Sequence, residues 1–198
     1  MIKDCERHRT KYIARGIAVY LHAINSPKHA QYAEATNDAD FYISAADLSD
    51  LREIEEIQPN RRLNRHQFIR EGFEFDIYAK YQSNLRVPYD AVNASCDTYG
   101  GIQVACLEHL LVLKPDAFAA RHASAHGRKD ARDLIRLALV ASEHPFQSDK
   151  ASMFLDAEHL KLLAQVARGP EPTVLASGNA QLAKNIRATF STLVATLR

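Results

Sequence analysis

Two periods of apolar and polar positions divide this chain. In "ATNDADFYIS" (35–44), Ala39, Phe41 and Ile43 alternate with Asp38, Asp40 and Tyr42, the period-two pattern of a strand lying on a core. "FEFDIYA" (73–79) repeats it, with Phe73, Phe75 and Ile77 on one face and Glu74, Asp76 and Tyr78 on the other. The run before it, "LNRHQFIR", is also extended, and Glu71-Gly72 between the two predicts a hairpin. "KYIARG" (11–16) reads as a short strand ending at Gly16, "IAVYLHAI" as a short helix and "GIQVAC" (101–106) as the last strand. A looser stretch, "NSPKHAQYAEAT", leads into the Asp38 strand. Leu48, Leu51, Ile54 and Ile57, at three-residue steps, predict an amphipathic helix stopped near Pro59.

From Leu107 onward the spacing is helical. "LEHLLVLKPDAFAARHA", "RKDARDLIRLALVASE", "ASMFLDAEHLKLLAQVAR" and "NAQLAKNIRATFSTLVATL" predict four helices. Gly127, His144-Pro145 and "GPEPTVLASG" read as the breakers between them. The expected class is α+β: a mixed α/β domain over 1–106, followed by a helical bundle over 107–198.

Composition narrows the class of protein. A hydrophobic share of 46% is enough for a core, and 25% charged residues suit a globular chain. Residues 1–106 sum to −2 and 107–198 to +3, giving the net +1; this is no polybasic tail, so an anionic partner must be met locally. Cys5, Cys96 and Cys106 form no CxxC pair and no even framework, which points to a reducing compartment. No apolar run reaches spanning length and the N-terminus is polar, so a cytoplasmic protein without a membrane segment is expected.

The unusual chemistry is acidic. Asp38 and Asp40 stand about 6–7 Å apart along one strand face and repel each other unless a cation lies near them. If the Asp76 strand is the neighbour, a third carboxylate comes to about 5 Å from one of that pair. Three carboxylates suit Mg²⁺, which takes oxygen ligands and substrate phosphates. Two ions about 4 Å apart can stabilise both the attacking and the leaving oxygen of phosphoryl transfer. A turn role for Asp38 after Asn37 and a solvated face for Asp76 are the competing readings. An EF-hand is excluded, because its glycine position holds Ile43 and its final glutamate position Ser49. No HExxH, Walker loop or Ser-His-Asp order is present, and His22, His109 and His159 fall in helical patterns suited to packing or surface roles. Arg61, Arg62, Arg65 and Arg70 on the hairpin are either a solvated face or a guide for RNA or a nucleotide phosphate.

In their order along residues 11–140, "RGIAVYLHA", "TNDADFYI", "FEFDIY", "GIQVACLEHLLVLKPDAFAAR" and "RKDARDL" resemble the nucleotidyltransferase superfamily that includes DNA polymerase β. More narrowly, they look like the AbiEii-type nucleotidyltransferases, the toxin components of toxin–antitoxin systems. The resemblance implies a nucleotidyltransferase fold and transfer of a nucleoside monophosphate from an NTP, with Mg²⁺, to a tRNA or protein acceptor; an antitoxin is the implied protein partner. It implies metal-binding roles for Asp38, Asp40 and Asp76, and catalytic roles for these with Lys114 and Asp133. Nucleotide contacts are implied at Arg15, Gly16, Thr36, Lys114 and Lys129. By residue type alone, Lys114 is equally a solvated helix residue, and Lys129, Asp130 and Asp133 equally helix-start charges. Arg15-Gly16 stands where the family has Gly-Gly or Gly-Ser, and the arginine usual before the threonine is missing, leaving Lys28 or His29 to replace it. The competing function is a catalytically inactive module of the same fold that binds nucleotide, RNA or a protein partner.

Overall fold

Alternation becomes sheet and helical spacing becomes helix in a computed structural model that describes residues 13–14, 16–36, 38–61 and 64–197. The chain forms two compact units. The first holds the described residues up to Ala18 together with Ala35–Cys106; the second holds Val19–Glu34 and the chain from Leu107 onward. Residues 19–34, which precede the acidic strand in sequence, thus group with the C-terminal helices.

The first unit is built on a seven-stranded sheet: β1 (Ile13–Ala14), β2 (Asp38–Ile43), β3 (Gln58–Asn60), β4 (Arg65–Arg70), β5 (Phe73–Ala79), β6 (Asp97–Tyr99) and β7 (Ile102–Val104). The spatial order is β3-β4-β5-β2-β1-β7-β6. β2 pairs in parallel with β5, and β1 with β7; the remaining pairs are antiparallel, so the sheet is mixed. The expected hairpin closes at Glu71-Gly72, with φ of 53° and 82°, the left-handed pair of a two-residue turn whose twist matches the strands. Glycine takes that conformation without steric cost; Glu71 does not.

One face of the sheet carries the core of this unit. Ile43, Ile77 and Ala79 pack with Leu48 and Leu51 of helix α2 (Ala45–Ile54), and Phe41, Ile57 and Phe68 extend the cluster. Helix α1 (Gly16–Ile24) precedes α2 in the chain. Phe68 and Phe75 stack with centroids 4.7 Å apart. Ser44 caps α2 reciprocally with Asp47, which fixes where the helix leaves β2. Ile54 departs from the expected apolar stripe: it is 72% exposed, because α2 ends there and the chain turns extended at Glu55 before Ile57 packs. Helix α3 (Tyr89–Ala94) and strands β3 and β6 are not visible in the hydrophobic pattern. They are three to six residues long and too short to show a period.

The second unit is helical: α4 (Leu107–Arg121), α5 (Ala125–Ala141), α6 (Ser148–Ser152), α7 (Ala157–Arg168), α8 (Glu171–Leu175) and α9 (Ala180–Ala195). Leu110, Leu111, Leu134, Ile135, Leu137, Leu163, Ile186 and Phe190 are its largest fully buried side chains. Two expected breakers behave differently. Gly127 lies inside the first turn of α5, where a β-carbon would stand 2.2 Å from the Arg121 carbonyl oxygen; glycine permits a close approach instead of ending a helix. "GPEPTVLASG" contains α8 rather than being wholly loop. Conversely, the run 151–168 is two helices, because the Asp156 side chain accepts from the amides of Glu158 and His159 and starts α7 anew.

Candidate active site

Strand register decides which carboxylates meet. In the parallel β2–β5 pair Asp40 stands opposite Asp76 and Asp38 opposite Glu74. Alternation therefore puts this acidic set on the sheet face opposite the aromatic core. The side chain of Asp38 lies outside the described residues, as does Arg15. On the other side of β5, antiparallel β4 places Gln67 opposite Asp76.

Asp76 is buried, at 8% exposure, and both of its oxygens are engaged. Arg65 Nη1 lies 2.7 Å from Oδ2, and the same nitrogen donates to the Tyr78 hydroxyl at 3.2 Å. Gln67 Nε2 donates to Oδ1 at 2.7 Å and to Glu74 Oε1 at 2.8 Å. Gln67 is itself oriented by Asn60, whose Nδ2 donates to Oε1 at 2.6 Å. Burial and the adjacent Asp40 charge push Asp76 up to about 6, against the pull of Arg65 and Gln67. Burial opposes the charge of Arg65, but the Tyr78 hydrogen bond and the Asp76 and Asp40 carboxylates outweigh it and raise its pKa.

The hairpin arginines divide by role. Arg65 belongs to the acidic face, and Arg70 pairs with Glu55 at 2.7 Å. Arg61 lines a cavity of about 230 Å³ with Pro59, Asn60, Asn64, Arg65, His66 and Gln82. Arg62 lies outside the described residues. Arg65 and Gln67 escaped the sequence reading as partners of Asp76, although the signal was present. A two-residue turn at Glu71-Gly72 pairs Arg70 with Phe73 and, counting back, Gln67 with Asp76.

Lys114 and Asp133 meet in the helical unit. Lys114 Nζ donates to Asp133 Oδ2 at 2.7 Å and lies 3.5 Å from Asp130. Asp133 also accepts from Arg136 at 2.8 Å, and Asp130 binds Arg121 through two hydrogen bonds. Arg136 reaches the Tyr32 carbonyl and Glu34, and Arg132 joins Glu34 to Glu171. Burial works against the Glu34 charge, but hydrogen bonds from Arg132 and Arg136 hold it down at about 2. Lys129 sits half-buried on α5, Gly16 opens α1, and Thr36 lies in the extended stretch before β2.

No protein-family model and no curated protein matches the sequence. Among solved structures, an antigenic nucleotidyltransferase-like protein from Paracoccidioides brasiliensis superposes over 89% of this chain and 88% of its own, at 15% identity and a TM-score of 0.50. The fold is nucleotidyltransferase-like. Two Helicobacter pylori proteins, one described as a candidate nucleotidyltransferase, are each 12% identical and cover 96% of this chain. Their TM-scores are 0.45 and 0.46, over 88% and 86% of their own chains.

Among the described residues no group of three His, Cys, Asp or Glu side chains is placed to hold a metal ion. The Asp40 carboxylate, which makes no side-chain hydrogen bond among them, is the kind of hard oxygen donor that Mg²⁺ takes, and Asp76 is already engaged by Arg65 and Gln67. No helix of the described residues is long and apolar enough to cross a membrane.

Proposed function

We propose that this protein is a Mg²⁺-dependent nucleotidyltransferase that moves a nucleoside monophosphate from an NTP to an acceptor hydroxyl. The observation that carries the reading is the β2–β5 register, which sets Asp40 beside Asp76 on the face turned away from the core. Asp38 and Asp40 hold the cation with the triphosphate, and Asp76 faces the acceptor. Mg²⁺ bound there would polarise the triphosphate and offset the charge that develops on pyrophosphate. The acceptor oxygen attacks the α-phosphorus, and the bond to the α–β bridging oxygen breaks. Pyrophosphate leaves, and the acceptor proton passes to Asp76. A carboxylate held near 6 is ionised at neutral pH yet more basic than an ordinary aspartate, which suits it to that role. The resemblance to AbiEii-type toxins extends the reading to tRNA or a protein as acceptor and to an antitoxin as partner.

Arg15-Gly16 in place of the family's glycine pair favours the second reading, a module that holds nucleotide, RNA or protein without turnover. Incubation with each α-labelled NTP, Mg²⁺ and cell extract separates the two. The enzyme reading expects label in an RNA or protein band, lost in Asp40→Asn. Nucleotide binding without label supports the module, and no binding of any NTP sinks both.

A further inference from the structure

The acidic face carries its own resident cation. Among the described residues of β2, β3, β4 and β5, Arg65 is the cationic side chain on the Asp40–Asp76 face; Arg70, the other on these strands, pairs with Glu55. Arg65 Nη1 sits 2.7 Å from Asp76 Oδ2, and Tyr78 and Gln67 hold the pair from either side. We propose that the Arg65 guanidinium takes the place of the second metal ion, so that this protein binds one divalent cation on Asp38 and Asp40 while Arg65 neutralises Asp76. The inference rests on the nucleotidyltransferase reading above.

Three physical points support it. First, a second ion would have to bind Asp76 at about 2.0–2.1 Å, beside a guanidinium already in contact with one carboxylate oxygen and an amide on the other. Two positive charges would then compete for one buried carboxylate. Second, a guanidinium keeps its charge at every working pH, so it cannot give way by losing a proton. Third, the arrangement is supported by a chain of side chains. Asn60 orients Gln67, Gln67 fixes Asp76 and Glu74, and Tyr78 receives the same nitrogen that meets Asp76. Each Asp76 oxygen keeps a second lone pair, so the residue can still accept a proton. Arg65 is here a positioning residue: it acts on the reaction through Asp76.

The test counts ions on the full chain with Mn²⁺ alone, read from the electron paramagnetic resonance signal of free Mn²⁺. Wild type is expected to bind one Mn²⁺ per chain at this face, Arg65→Lys one, and Arg65→Gln two. Asp76→Asn should leave the affinity of the single wild-type ion within about threefold. Two ions in wild type, one ion in folded Arg65→Gln, or a tenfold or greater loss of affinity in Asp76→Asn would each overturn the inference. Should Arg65→Gln fail to fold by circular dichroism, the wild-type count and the Asp76→Asn affinity decide. Failure of the parent reading looks different: no Mn²⁺ uptake that depends on Asp40 removes the metal site itself, and the inference goes with it.

Discussion

Asp76 is a carboxylate pulled in two directions. Burial and Asp40 favour its protonated form, while Arg65 and Gln67 favour the charged one, and the first pair prevails at about 6. The two opposing charges, Asp40 and Arg65, can each be removed by one substitution. Carbon-detected titration of the metal-free protein should place the Asp76 carboxyl near 6. Asp40→Asn should lower that midpoint toward the ordinary aspartate range, since it removes a neighbouring negative charge. Arg65→Gln should raise it, since it removes the compensating positive one. A wild-type midpoint near 4, or no movement in either variant, would show that the two strands do not hold these side chains in the register described. Asp76→Asn bears on the chemistry through a separate route: an amide cannot accept the acceptor's proton, so label transfer should fall even where metal affinity is kept.

At the level of elements, the β4–β5 hairpin and β2 were legible because alternation and turn chemistry speak over six or seven residues. Phe73, Phe75 and Ile77 mark one face whatever the partner strand is, and Glu71-Gly72 fixes which residues of β4 face them. Whether β2 pairs with β5 stays open in the acidic pattern, and the structure's parallel pairing is what joins Asp40 to Asp76. Lys114 shows the limit of sequence reading. Its partners stand 16 and 19 positions along the chain, one helix later, and no local period announces them. Gly127 was misread for the same reason: only the packed helix shows that the Arg121 carbonyl oxygen occupies the space of a side chain. The structure makes Lys114 a keystone of the α4–α5 pair, whatever it contributes to nucleotide binding. Lys114→Met removes one cation from two buried carboxylates, but Arg136 stays on Asp133 and Arg121 on Asp130. The expected cost is therefore about 2–3 kcal/mol, below the 3–5 kcal/mol of a fully orphaned buried charge. A urea midpoint shifted down with an unchanged slope would confirm it, and a change under about 0.5 kcal/mol would return Lys114 to the role of a solvated helix residue.

For the whole molecule, two buried titrating groups set opposite pH dependences, one in each unit. His109 of α4 is 1% exposed and edge-on to Phe154 at 5.9 Å. Burial, with Lys150 adding and Glu108 opposing, pushes it down to about 4. An unfolded histidine near 6.5 binds its proton first, so the stability His109 contributes is complete above 6.5 and is lost as pH falls toward 4. Asp76 behaves in the reverse sense. Its folded value of about 6 exceeds the usual 3.8, so its contribution is complete below 3.8 and is lost as pH rises through 6. Between pH 6 and 4 the two trends oppose, and the metal-free chain should show a shallow dependence of Tm on pH. Calorimetry of two variants should separate them. Asp76→Asn removes the sheet's gain on acidification, so its Tm should fall more steeply from pH 6 to 4 than that of wild type. His109→Leu removes the helical unit's loss, so over the same interval its Tm should hold level or rise. Below about pH 4.5 a third trend takes over: unfolded Glu34 takes up a proton at its usual 4.5, while the folded carboxylate, held at about 2 by Arg132 and Arg136, stays ionised, so wild type and both variants should lose stability together. Parallel Tm curves for all three proteins between pH 6 and 4 would show that neither group is buried as the structure has it.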